Sequence, residues 1–393
     1  MKHELTSAER IVLARIMDAA TNRAREALRV IEDYCRFVLD DAFLSQELKN
    51  LRHDLAESLA SCQHLLEARE TQRDVGTNIT AAGEQSRQSP LAVAQANCKR
   101  LQEALRTLEE FGKIQSPDLG SAVEKLRYRS YTLEKAIVLG SQAREHLADV
   151  RLCVLVSAND GGDPGCASSD RGEPGSVSSD YGEPGCVSAR RPALEWVIKE
   201  AAAGGAGMIQ LREKNLTDRE LLERARQVRR WTREAGVLFI VNDRPDIARL
   251  AEADGVHLGQ DNLPVKDARR IVGPDFLIGV STHNLEQVRQ AILDGASYLG
   301  VGPTFPSGTK EFGEFPGLEF VSQAMKETTL PAFVIGGVCP DNIERIIAAG
   351  GCRIAVGQAI GQSPDPRHAA EELLRVLMQA PTRNQRSEVR SLG

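Results

Sequence analysis

From Arg151 onward, short runs rich in Val, Ile and Leu alternate with amphipathic stretches eight times over roughly 225 residues. That repeat constrains the fold more than any other feature. The runs are RLCVLVSA from Arg151, GMIQLRE from Gly207, VLFIVND from Val237, GVHLG from Gly255, FLIGVS from Phe276, SYLGVG from Ser297, AFVIGG from Ala332 and RIAVG from Arg353. Each is read as a strand, with helices expected to start near Pro192, Thr217, Arg244, Pro264, Asn284, Gly317, Pro340 and Ala359. Eight β/α units fit a closed (β/α)8 TIM barrel better than an open doubly wound sheet, which usually has fewer. One stretch interrupts the pattern. Three tandem decapeptides, DGGDPGCASS from Asp160, DRGEPGSVSS from Asp170 and DYGEPGCVSA from Asp180, follow the first strand. Gly/Pro/Ser/Asp repeats cannot bury a core, so residues 159–191 are read as a flexible insert rather than a calcium-binding repeat, whose known spacing they do not match.

Residues 1–147 follow a different period. β-Branched runs are nearly absent, and breakers cluster near Asp40 to Ala42, Gly76 to Pro90 and Gly112 to Gly120. The expectation is an all-α helical domain before the α/β barrel of 151–380, with 381–393 as a disordered tail. This half carries a duplication: EALRVIEDY from Glu26 returns as EALRTLEEF from Glu103. On a helical wheel the first copy gives an apolar arc of Ala24, Ala27, Leu28, Val30, Ile31, Tyr34, Cys35, Phe37 and Val38. Opposite it lie Arg25, Arg29 and Arg36 in a narrow stripe beside Glu32, and the second copy repeats this with Arg106 and Glu109. The stripe is either a solvated, ion-paired face or an anion-recognition surface.

A formal charge of -6 in 393 residues argues against a protein that wraps nucleic acid. Apolar runs fall short of the roughly 18 residues of a membrane helix, and the charged N-terminus does not read as a signal peptide. The cytoplasm is the expected compartment. Eight scattered cysteines without a C-x-x-C pair indicate neither a zinc site nor a disulfide framework.

In a barrel of this kind, reactive groups stand where strands end. Strand two ends in Gln210, Arg212 and Lys214, alternate side chains expected on one face and suited to a polyphosphate. Strand three ends in Asn242 and Asp243, and strand four runs through His257 to Gln260, Asp261 and Asn262. Hard oxygen ligands beside cations suit Mg2+ with a diphosphate, and Asp243 is the first candidate, a helix cap being the alternative role. Strand five ends at Ser281, and strand six opens into the long loop GPTFPSGTKEFGEFPG with Ser307, Gly308, Thr309 and Lys310. Strands seven and eight end in Gly336-Gly337 and Gly357-Gln358, where backbone amides can approach a second phosphate.

QLREK at 210, VND at 241, HLGQ at 257, GVSTH at 279, GPTFPSGTK at 302 and IGGV at 335 together resemble the thiamine-phosphate synthase family. The resemblance implies condensation of 4-amino-2-methyl-5-hydroxymethylpyrimidine diphosphate with 4-methyl-5-(2-phosphoethyl)thiazole, with Mg2+. By motif, Gln210, Leu211, Arg212, Glu213, Lys214, Asn242 and His257 would hold the pyrimidine diphosphate, with Ser281 and Lys310 on the departing diphosphate. Asp243 would bind the metal. Ser307, Gly308, Thr309, Gly337, Gly357 and Gln358 would hold the thiazole phosphate. Two positions depart from the family pattern: Asn262 replaces an Asp but follows Asp261, and Gln358 replaces a Ser. The N-terminal half, with NRAREALRVIEDYCRF, LKNLRHDL and RDVGTN, resembles a helical family fused to this synthase and linked to phosphorylation of the pyrimidine monophosphate. That resemblance implies ATP as co-substrate, although no Walker loop is present. Its candidates are Arg25, Arg29, Arg73 and Arg106 for phosphate, and Glu32, Asp33 and Asp74 for metal or proton handling. The competing reading is a phosphate-binding barrel isomerase resembling a thiazole tautomerase, with the first half a helical dimerisation module. Oligomeric state is left open by the sequence.

Overall fold

The computed structural model describes residues 5–62, 65–69, 87–157, 194–306 and 316–379. The decapeptide insert, the tail from 381, Arg73, Asp74 and Ser307 to Lys310 lie outside them. The chain divides into two compact units: Met1–Ala148 with Asn284–Leu299 and Ser322–Pro331, and Asp149–His283 with Gly300–Val321 and Ala332–Gly393.

The described residues up to Ala148 carry helices and no strand. Helix α1 (Ser7–Asp33) starts on a capping box in which Thr6 and Glu9 satisfy each other's backbone N–H. It runs on into a π-helical turn, Tyr34–Val38. Asp41 caps α2 (Ala42–Ser58), and Ser89 and Ser116 cap α3 (Pro90–Gln115) and α4 (Pro117–His146), each with Pro as first helical residue. Helix α1 packs on α3, and α3 on α4. The predicted apolar arc of α1 is buried as far as Cys35 except at the half-buried Val30, but Phe37 and Val38 are exposed. A π turn takes more residues than an α turn, so the wheel loses phase there and both side chains swing outward. The sequence reading of Glu32 on the solvent arc also fails: Glu32 is buried, because Arg52 of α2 reaches it at 3.3 Å.

Eight parallel strands close into a barrel in sequential order: β1 (Leu152–Val156), β2 (Met208–Leu211), β3 (Leu238–Asn242), β4 (Gly255–Leu258), β5 (Leu277–Thr282), β6 (Tyr298–Val301), β7 (Ala332–Ile335) and β8 (Ile354–Val356). Between and after them come α5 (Leu194–Ala203), α6 (Asp218–Ala235), α7 (Pro245–Leu250), α8 (Val265–Val272), α9 (Leu285–Asp294), α10 (Gly317–Glu327), α11 (Ile343–Ala348), α12 (Gln358–Gly361) and α13 (Pro366–Met378). The strands are short and almost wholly buried, as a parallel sheet covered on both faces requires. Register pairs Gln210 with Ile240, Asn242 with His257, and His257 with Gly279, which brings their polar side chains to the same end of the sheet.

Candidate active site

The polar tips of β2 and β3, and of β4 and β5, are joined in two hydrogen-bonded pairs. Gln210, buried at 5% exposure, donates from Nε2 to Asn242 Oδ1 at 2.8 Å. His257, also buried, shares a hydrogen bond of 2.9 Å between Nε2 and Ser281 Oγ. Gly300 on β6 makes room for this ring, since a Cβ there would stand 3.1 Å from His257 Cε1. Gln260 Nε2 donates to the Ser281 carbonyl, which fixes the end of β5 from the β4 loop.

Arg212 lies just past the end of β2, so the alternation expected to place Gln210, Arg212 and Lys214 on one strand face stops at Leu211. Arg212 still donates its N–H to Val156 O at 2.9 Å, which continues the β1 ladder, and its side chain is half-buried. Lys214, two residues further into the loop, is exposed. The guanidinium is felt inside the barrel: burial, and next the Arg212 charge, push the His257 pKa down to about 4. His257 is therefore a neutral imidazole near pH 7. The Arg212 cation thus acts on a neutral, hydrogen-bonded imidazole at the strand ends.

Asp243 adopts a left-handed conformation, φ 62°, rare for a residue with a side chain, and donates its N–H to His257 O at 2.8 Å. It does not cap the next helix: the N-cap of α7 is Arg244, whose guanidinium is held by Asp218 and Asp246. Asn262 is already engaged, its Oδ1 accepting from Gly259 N–H, while Asp261 is exposed. Among the described residues, no group of three or more His, Cys, Asp or Glu is assembled for a metal ion.

Gly336 and Gly337 both have positive φ, 100° and 64°. A Cβ on Gly337 would stand 2.7 Å from Pro306 O, and one on Gly336 within 2.9 Å of Pro303 and Thr304. Both positions must be glycine to let the β6 loop lie against the end of β7. Gly357 precedes the short α12, and the Gln358 side chain is exposed.

In the helical unit, Arg29 and Arg52 converge on Glu32 (3.7 and 3.3 Å), and Arg106 and Arg127 converge on the buried Glu109 (2.8 and 2.6 Å). The duplication thus extends to the second helix of each half. Of the candidates named there, Arg29 and Arg106 are in ion pairs, and Arg25 and Asp33 are exposed.

The family model described as thiamine monophosphate synthase matches residues 186–360, and that of the ThiD2 family matches residues 15–136. A thiamine-phosphate synthase from Synechocystis is 38% identical over 92% of this chain and 95% of its own length. One from Rhodopirellula baltica is 39% identical over 96% of each. The solved thiamine phosphate pyrophosphorylase from Pyrococcus furiosus, 30% identical, covers 59% of this chain and 97% of that one, with a TM-score of 0.47.

Proposed function

The chain belongs to the thiamine-phosphate synthase family and is a transferase, and on that premise we propose that its barrel joins the pyrimidine diphosphate to the thiazole phosphate by a dissociative displacement. The two steps proposed for the whole chain are assigned to residues 151–380 for condensation and 1–147 for supply of the diphosphate.

The observation that carries the reading is the pair of hydrogen bonds, Gln210 to Asn242 and His257 with Ser281, at the strand ends where β2 leads into Arg212. Displacement of diphosphate from a benzylic-type carbon needs stabilisation of the departing negative charge and no general base. Arg212, with Lys214, Lys310 and Ser281, takes that role. Gln210 and Asn242 fix each other's side-chain amides and so present a set face to the pyrimidine, with Leu211 and Glu213 flanking them. A neutral His257 holds Ser281 Oγ in place without offering or removing a proton. Gly337, Gly357 and Gln358, with Ser307 to Thr309, receive the thiazole phosphate. The thiazole nitrogen then attacks the cationic carbon, and the two rings meet because the barrel holds them in line.

Mg2+ fits this donor set. An ion that keeps several waters and phosphate oxygens needs one or two carboxylates, which Asp243 and Asp261 would supply. Asn262, its oxygen engaged by Gly259, contributes by fixing the loop. When bound, Mg2+ neutralises part of the diphosphate charge. The test is condensation of the two phosphorylated rings by the full chain, with and without Mg2+. Arg212→Ala is expected to lower kcat by about 100-fold, in the range for loss of one charge-stabilising donor. Unchanged turnover in that variant would remove the reading. Lys310→Ala should slow turnover far more than it weakens binding of the thiazole phosphate, and equal losses would discredit that role.

For the N-terminal half we propose phosphorylation of the pyrimidine monophosphate with ATP, a reading supported by the ThiD2 match and the arginine-rich duplicated helices. The competing docking role predicts no ADP when the full chain is given ATP and the monophosphate.

A further inference from the structure

A cavity of about 480 Å³ opens between α1 and α3. Its walls come from Arg23, Glu26, Ala27 and Val30 on α1, and from Arg100, Glu103, Ala104 and Thr107 on α3. Within each helix these are positions i, i+3, i+4 and i+7, a single helical face. Between helices they differ by the 77-residue shift that relates EALRVIEDY to EALRTLEEF. Equivalent positions of two copies can line one cavity over two turns only if a local pseudo-twofold axis passes through it. The ninth lining residue, Asn97, has Ala20 as its counterpart.

The charges in this groove differ from their neighbours. One turn away, Arg29 and Arg106 are drawn onto Glu32 and Glu109. Arg23 and Glu26, and likewise Arg100 and Glu103, are spaced to pair along their own helices, yet none of the four makes an ion pair or side-chain hydrogen bond among the described residues. Two guanidiniums and two carboxylates therefore face a shared space with their hydrogen-bonding capacity in hand. Guanidinium groups match a phosphate in fork geometry, and a carboxylate matches an amino group on a heteroaromatic ring. Ala27 and Ala104 leave the floor free of bulky side chains, with room for a flat ring, and the volume suits one ring with one phosphate.

We propose that this groove is a binding site for an aminopyrimidine monophosphate, its phosphate held by Arg23 and Arg100 and its amino group by Glu26 or Glu103. The assignment rests on the kinase reading of the N-terminal half and names the acceptor site within it.

The experiment uses the full chain carrying Arg212→Ala and Asn242→Ala, which weakens the barrel's hold on both the phosphate and the pyrimidine of the probe, and calorimetric titration with hydroxymethylpyrimidine monophosphate. A saturable site is expected. Arg23→Gln with Arg100→Gln, and separately Glu26→Gln with Glu103→Gln, should each weaken it at least about tenfold. All four positions are exposed, so folding is expected to survive, and unchanged thermal melting checks this. The single variants Arg23→Gln and Arg100→Gln serve if a double variant melts early. Affinity unchanged in both pairs, or no saturable binding at all, overturns the proposal. ADP release from ATP is measured in parallel. A chain that phosphorylates the monophosphate while the groove variants keep full affinity and rate refutes the groove and leaves the kinase reading standing. Binding lost in the variants, with no ADP formed by the parent, does the reverse.

Discussion

His257 and Asp41 show how single buried polar groups set the behaviour of this chain. The His257 imidazole, with its pKa pushed down from 6.5 to about 4, stays neutral when folded, yet takes up a proton below about 6.5 once unfolded. Its contribution to stability is complete above pH 6.5 and is lost as the pH falls toward 4, by roughly 3 kcal/mol in all. Urea titrations at pH 7 and pH 4.5 should show that fall, and His257→Gln should flatten it; an unaltered slope would mean that other groups dominate. Asp41 is wholly buried within the first unit. It accepts from Leu44 N–H, Thr328 Oγ1, Thr329 N–H and Arg144. Burial lowers the Arg144 pKa and Asp41 opposes that shift, so Asp41→Ala strands a buried cation. A loss of about 3 to 5 kcal/mol is expected, read as a shift in denaturant midpoint. Gln210, Asn242, His257 and Ser281 were legible in the sequence because strand tips are where such residues collect. Arg23 and Arg100 were passed over because a wheel drawn on one helix weighs only that helix, and the groove appears when both copies are superposed. The engagement of Asn262 by Gly259 depends on loop closure, which spacing alone does not convey.

The elements follow from local signals wherever those signals are strong. Seven of the eight strands fall inside the expected runs and β5 passes the end of its own by one residue, Thr282, since buried parallel strands read as mostly apolar runs. Helix α6 opens on a capping box in which Thr217 and Glu220 bond reciprocally, and it ends on the left-handed Gly236. Thr217→Ala should cost about 1 kcal/mol in thermal unfolding and leave condensation unchanged; a loss of turnover instead would tie α6 to the active site. The π turn at Tyr34–Val38 is where the helical wheel stops applying, because nothing in the local composition announces a changed period. β2 ends before Arg212 for a related reason: alternation in sequence continues after the ladder has closed.

At the scale of the whole molecule, the (β/α)8 architecture was the most legible feature, because eight repeats of one period leave few rival topologies. Given the pyrimidine monophosphate, ATP and the thiazole phosphate, the full chain is expected to form thiamine phosphate without added diphosphate. Product that appears only when the diphosphate is supplied would confine catalysis to the barrel. A last consequence belongs to the paired helices α1 and α3. A perfectly duplicated cleft would accept an unsymmetrical guest in either of two poses with equal ease. Here Thr107 is the counterpart of Val30, and Asn97 stands where the other copy has Ala20. A hydroxyl and a carboxamide therefore belong to one copy only, and that imbalance would favour one way round for a guest bound as proposed.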